Sequence, residues 1–203
     1  DKHIDQFQPE TGVAHGYSGI VLGLLAAAEL LNNKDYVKRA AEIILLENKY
    51  FKREEKNWLD LRDMKSINYG WCRGSSGIAV VRAKFNQVAE QSSNLDFVYA
   101  LETTINAIQT NGFKDDSLCH GVFGAIDNLI EINKISNYSY IENDVQSFMN
   151  KKLEETISKG FRYGVPDLIE AENLFVGYIG LGYLMLRVAN EELPSILHLE
   201  LFN

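Results

Sequence analysis

Two kinds of helical segment alternate along this chain. In segments 34–51, 95–112 and 141–160, apolar residues recur every three or four positions with lysine and glutamate between them, as in amphipathic helices. The other kind is almost uniformly apolar, as expected of helices that are buried on most sides, and each of these begins at a glycine pair. The sequence shows almost no strand pattern. It therefore predicts an all-α chain of repeated helical hairpins, with the glycine-led helices inside and the amphipathic helices outside.

The glycine pairs recur about 50 residues apart, which is typical of a repeated supersecondary unit. Their copies are HGYSG at 15–19, RGSSG at 73–77, HGVFG at 120–124 and VGYIG at 176–180. Glycine permits the turn before a helix and lets two backbones approach closely. Repeated hairpins form either an open solenoid or a closed α/α toroid. The toroid is favoured, because closure would bring the polar residues beside the glycines to one centre.

Composition narrows the range of functions. The chain has 203 residues, 46% of them hydrophobic and 24% charged, which describes one globular domain over 1–203. A net charge of −8 and the lack of a long basic run disfavour a nucleic-acid partner. We expect no transmembrane segment and no signal peptide. Two cysteines in a chain of this size indicate a reducing, cytoplasmic setting, in which thiols bind metals or act in catalysis.

Both cysteines occupy the same place in successive repeats. Cys72 and Cys119 each stand two residues before the first glycine of their copy, and His120 follows Cys119 directly. Two thiolates and one imidazole form a ligand set that suits Zn²⁺ and leaves a fourth position for water or substrate. The alternative is a pair of buried cysteines near glycine turns with a histidine at a helix start. The equal register favours the metal site.

A second histidine stands in the same register. His15 precedes its glycine just as His120 does, but no cysteine lies beside it. This favours an acid–base role over that of a fourth ligand. The alternative is a helix-start histidine that is satisfied by backbone groups. His3 and His198 have no such context and are expected to be incidental.

Four further residues surround these positions. Asn68 and Arg73 flank the turn that carries the first cysteine and could contact a substrate carbonyl or carboxylate, although solvation explains Arg73 almost as well. Trp71 and Trp58 could wall a cavity or could simply pack in the core. The long connections that carry them, 52–71 among them, are of a length often associated with function.

These motifs resemble the cyclase family of the lanthionine synthetases, which has the LanC-like fold. The resemblance covers nearly the whole chain, and its main motifs are GVAHGYSG at 12–19, WCRGSSG at 71–77, CHGVFG at 119–124 and VGYIGLGY at 176–183. Segments 47–62 and 192–200 are closer to the C-terminal domain of the class II bifunctional synthetases (LanM).

The resemblance implies a zinc-dependent enzyme of lantibiotic biosynthesis in the bacterial cytoplasm. Zinc would be held by Cys72, Cys119 and His120, and His15 would handle a proton. The reaction would add cysteine thiols of a dehydrated precursor peptide to dehydroalanine or dehydrobutyrine, closing lanthionine rings. A non-catalytic, zinc-stabilised module for peptide binding or scaffolding is the alternative. A glycosidase or a prenyltransferase would need a carboxylate pair or an aspartate-rich motif, and the sequence shows neither.

Departures from the family qualify this interpretation. The family toroid has seven hairpins, whereas four glycine-led helices are visible, so the chain resembles the C-terminal part of the barrel. The family's upstream aspartate has no counterpart, and a missing N-terminal part or a second chain is expected to cover exposed helix flanks. Asn68 and Arg73 stand where stand-alone cyclases have arginine and tyrosine.

Overall fold

The computed structural model describes residues 9–90, 95–136, 139–166, 169–190 and 192–198. Within these ranges the regular secondary structure is almost entirely α-helical, which confirms the predicted all-α class. The elements are α1 (Tyr17–Leu30), α2 (Asp35–Glu47), β1 (Phe51–Lys52), β2 (Asn57–Trp58), α3 (Ser75–Val88), α4 (Leu95–Gln109), α5 (Val122–Ser136), α6 (Ser139–Lys159) and α7 (Tyr178–Ala189). None of the helices within the described ranges combines the length and the apolarity needed to span a bilayer.

The helices alternate between an inner and an outer layer. Helices α1, α3, α5 and α7 lie side by side in chain order, and α2, α4 and α6 each pack against the inner helix that precedes them. In α5 every side chain from 122 to 132 is buried. The two end helices of the inner layer instead expose large apolar side chains, which include Ile20, Leu30, Ile179, Met185 and Leu186.

A small antiparallel hairpin interrupts the connection after α2, where the sequence suggested no strand. Phe51 pairs with Trp58, and their rings meet edge to face with centroids 4.8 Å apart. Trp58 is fully buried, and its Nε1–H donates to Asn48 Oδ1 at 3.2 Å. The hairpin places the partly buried Phe51 against the fully buried Trp58, so Trp58 has a packing role.

The glycine that precedes each inner helix is required by close approach. Gly74, the N-cap of α3, has an extended backbone with φ −137° and ψ −170°, which any residue can adopt. A Cβ on Gly74 would lie 2.3 Å from the carbonyl oxygen of Asn68. Glycine is therefore not required at position 74 for its backbone conformation. The missing side chain lets the loop pass directly over the helix start.

Two buried arginines join neighbouring hairpins, and the hydrophobic pattern did not predict them. In the first network, Arg82 Nη2 donates to Glu47 Oε2 at 2.7 Å, and both side chains are fully buried. Ser18 Oγ donates to the same carboxylate oxygen at 2.6 Å, so the network links α3, α2 and α1. In the second, Arg187 of α7 pairs with Asp127 and Glu131 of α5.

Candidate metal centre

A ladder of backbone hydrogen bonds connects the four loops that precede the inner helices. The N–H of Ala14 donates to the Cys72 carbonyl at 3.0 Å, and the N–H of Cys72 donates to the Cys119 carbonyl at 3.1 Å. The N–H of Cys119 in turn donates to the Phe175 carbonyl at 2.9 Å. All four residues stand two positions before the first glycine of their copy. Residues that hold the same position in successive repeats are therefore also hydrogen-bonded neighbours in the folded chain.

This ladder brings the three candidate ligands together. The ligand atoms of Cys72, Cys119 and His120 all lie within 4.8 Å of one another, and both thiols are free. Donor atoms on one tetrahedral zinc lie about 3.5–3.8 Å apart, because Zn–S and Zn–N bonds are about 2.3 and 2.1 Å long. Small side-chain rotations would therefore let these residues hold one ion. Cys72 is buried, whereas Cys119 and His120 are partly exposed.

The electrostatics of the cluster favour a thiolate at Cys72. The hydrogen bond from Cys119 lowers the pKa of Cys72 to about 5, and His120 and Arg73 act in the same direction. The same hydrogen bond, together with burial, raises the pKa of Cys119. The contact with Cys72 also raises the pKa of His120, and the negative charge of Asp115 contributes. Without a metal, the hydrogen bond between the two sulfurs thus favours one thiolate and one thiol over two thiolates.

Asp115 is a residue of this centre that the sequence reasoning missed. Its Oδ2 lies 3.3 Å from His120 Nε2, on the edge of the ring where Gly164 also packs. Its position in the repeat could have indicated it, because Asp115 stands six residues before Gly121, just as Asn68 stands six before Gly74. Both side chains accept a backbone N–H two residues further on, at 2.9 Å in each case.

His15 lines a different cavity from Cys72 and His120. Cys72 and His120 open onto a polar cavity of about 350 Å³, whose lining includes Arg73 and Lys114. The exposed His15 lines an apolar cavity of about 460 Å³ together with Trp71 and Phe175. Trp71, which lines the apolar cavity, and Cys72, which lines the polar one, are consecutive residues of one loop.

The remaining candidates are distributed around this centre. Asn68 fastens its own turn through the N–H of Gly70, and Arg73 pairs with Glu10. Trp71 stacks on Phe175 with centroids 6.2 Å apart.

Of the two histidines that were expected to be incidental, His198 lies among the described residues and His3 does not. His198 is buried, and its Nε2 lies 2.9 Å from Asn128 Oδ1, so it packs the C-terminal segment against α5. This contact is structural, and the expectation that His198 has no part in the chemistry stays a prediction. His3 lies outside the described residues.

Helical hairpins in two layers, with a Cys-Cys-His cluster where the inner helices begin, define the class of the protein. The chain belongs to the lanthionine synthetase C-like family, whose pattern matches residues 2–201. It is similar to the lacticin 481/lactococcin biosynthesis protein LcnDR2 of Lactococcus lactis subsp. lactis, with 26% identity over 190 residues, or 88% of this chain. The structure is similar to that of nisin cyclase, with a TM-score of 0.68 over 90% of this chain and 18% sequence identity.

These likenesses confirm the LanC-like fold and the partial coverage of the toroid. The chain spans 20% of the length of the lacticin 481 biosynthesis protein and 47% of nisin cyclase. A likeness at 18% identity concerns the fold alone.

Proposed function

We propose that this chain forms the zinc-binding part of a lanthionine cyclase, which adds peptide cysteine thiols to dehydroalanine or dehydrobutyrine. The observation that carries the proposal is the convergence of Cys72, Cys119 and His120 to within 4.8 Å. Two thiolates and an imidazole suit zinc, and three protein ligands leave one position for a substrate thiol. Family membership supports the same chemistry, and one of the two relatives is named as a cyclase.

Zinc, when bound, lowers the pKa of a coordinated thiol and so supplies a thiolate nucleophile at neutral pH. The ring-closing reaction forms one C–S bond from the thiol sulfur to the β-carbon of the acceptor. The electron pair of the C=C bond moves to the α-carbon side and then takes up a proton. Atoms and electrons balance without an oxidant, since the thiol loses one proton and the α-carbon gains one.

The chain must therefore move one proton, and His15 is the proposed carrier. Its exposed side chain lines the apolar cavity together with Trp71, which directly precedes Cys72 in the chain. The N–H of Ala14 also ties the His15 loop to the Cys72 carbonyl at 3.0 Å. A histidine with this access can exchange protons with a bound peptide and with solvent.

The two cavities suggest how a dehydrated peptide could be held. Trp71 and Phe175 offer a stacked apolar wall for side chains that flank the ring. On the polar side, Arg73 could contact a peptide carbonyl, held in place by its pairing with Glu10. Asn68 lines the same cavity, but its side-chain oxygen is already engaged by the N–H of Gly70.

The exposed apolar faces of α1 and α7 suggest a partner. We infer that an upstream segment of a synthetase or a second chain packs on these faces and completes the toroid. The proposed setting is the bacterial cytoplasm, where thiols remain reduced.

The test combines metal analysis with a cyclisation assay. We expect close to one zinc per chain in wild type and in His15→Asn, and loss of zinc in Cys72→Ser and Cys119→Ser. Incubation with a dehydrated peptide should remove its alkylatable thiols without changing its mass. A folded, reduced wild type without zinc would overturn the proposal. Zinc binding without thiol loss would favour the non-catalytic module.

A further inference from the structure

The environment of His120 distinguishes its two ring nitrogens. Nε2 lies 3.3 Å from Asp115 Oδ2, and a Cβ placed on Gly164 would lie 2.9 Å from the same nitrogen. Gly164 therefore packs directly against this edge of the imidazole ring. A nitrogen that faces a carboxylate in this way is the one that carries the proton, which leaves Nδ1 with a free lone pair.

Asp115 is held rigidly enough to impose this choice. Its side chain is largely buried, and Oδ1 accepts the N–H of Ser117 at 2.9 Å within its own loop. The neighbouring Asp116 is engaged elsewhere, since it accepts the N–H of Arg162 at 2.9 Å. The connection that contains Arg162 and Gly164 is thus held beside the imidazole of His120. In Asp115 itself, Oδ1 binds the backbone of its own loop and Oδ2 faces His120.

We propose that Asp115 is the positioning residue of the metal centre: it keeps the proton of His120 on Nε2, so that Nδ1 faces the two cysteine sulfurs as a metal ligand. This inference rests on the proposed zinc site. A carboxylate on the far side of a ligating imidazole fixes the ring orientation and raises its basicity. Loss of such an outer partner costs about 10–100-fold in metal affinity.

Asp115→Asn separates this role from the folding of the loop. Its side-chain oxygen can still accept the Ser117 N–H, but its NH₂ group would face the N–H of His120, so two donors oppose each other. We expect zinc affinity, measured by competition with a chromophoric chelator, to fall about 10–100-fold. Asp116→Asn is the matched control, because it changes the adjacent carboxylate without touching His120, and its affinity should stay within about threefold of wild type.

Two further readouts and a second variant make the affinity comparison decisive. Thermal unfolding of the metal-free proteins reports whether each variant folds. Should Asp115→Asn fail to fold, Asp115→Ser keeps an acceptor for the turn but withdraws from Nε2, and the same loss of affinity is expected. The absorption spectrum of the cobalt-substituted protein should change in the Asp115 variants and stay unchanged in Asp116→Asn.

The outcomes distinguish this inference from the proposed function. A wild type that binds no zinc overturns the zinc site itself. A wild type that binds zinc, with equal affinity in a folded Asp115→Asn, overturns the positioning role alone. Equal weakening in the Asp115 and Asp116 variants would also overturn it, because the effect would then belong to the loop as a whole.

Discussion

The backbone N–H of Cys72 donates to the carbonyl of Cys119 at 3.1 Å, so the loops that carry the two candidate thiolate ligands are joined directly. Equivalent bonds from Ala14 and to Phe175 extend this connection over four repeats. The spacing of the ligands is thus fixed by backbone hydrogen bonds and helix packing. A metal ion would bind to this site without having to assemble it.

Removal of zinc should therefore leave the fold intact. We expect a chelator to lower the unfolding temperature while the far-ultraviolet circular dichroism at 20 °C stays unchanged. A ligand at 100 times its Kd stabilises the native state by about 2.7 kcal/mol, and this gain should vanish in Cys119→Ser. Loss of helical signal on chelation would contradict a preformed site and would instead resemble a zinc finger.

The loop contact between Gly70 and His120 gives a second prediction. A Cβ on Gly70 would lie 2.4 Å from the Cα of His120, where no flexible side chain can yield. Gly70→Ala should destabilise the protein by about 1–3 kcal/mol and weaken zinc binding, because the His120 loop must move. Chemical denaturation and chelator competition would measure the two effects.

Gly23 in α1 provides the control for that substitution. A Cβ there would meet no atom within 4 Å, so Gly23→Ala should stabilise the helix by about 0.5–1 kcal/mol. It should leave zinc affinity unchanged. Equal effects of the two alanines on zinc binding would show that the close approach at Gly70 has no bearing on the metal centre.

The buried pair of Arg82 and Glu47 gives a third prediction. Glu47 also accepts the N–H of Gly12 at 2.8 Å and the hydroxyl of Ser18 at 2.6 Å. Glu47→Gln would leave the Arg82 guanidinium buried without a counter-charge, which costs about 3–5 kcal/mol. Urea denaturation measures this loss of unfolding free energy.

An exposed pair serves as the comparison for Glu47→Gln. Lys38 and Asp35 form a salt bridge at 2.7 Å on the surface of α2, where solvent screens both charges. Asp35→Asn should therefore leave the denaturation midpoint unchanged. A Glu47→Gln midpoint close to that of wild type would contradict the structural role of the buried network.

The sequence predicted the features that follow from the repeat period and from the position of a residue within each repeat. It missed the features that depend on contacts between residues far apart along the chain. Cys72 and Cys119 could be paired because each stands at a fixed distance from a glycine, and that distance survives folding. Asp115 stood in the same register as Asn68, but only the folded loop brings its second oxygen to His120. In the sequence, Glu47 has the position of an ordinary solvent-facing polar residue of an outer helix. Its burial depends on Arg82, which lies 35 residues away along the chain.

The last prediction separates proton transfer from metal binding. His15 lines the apolar cavity, whereas Cys72 and His120 open onto the polar one, so His15→Asn should not alter zinc content. If His15 carries the proton in ring closure, the same substitution should slow thiol consumption by about 10²–10⁴-fold, which is the usual contribution of a general acid or base. Phe175→Ala is the matched variant: it changes the same cavity without removing a titratable group, so it should weaken peptide binding more than it slows the bound reaction. A His15→Asn protein with full zinc and undiminished turnover would remove His15 from the mechanism and leave the metal site unaffected.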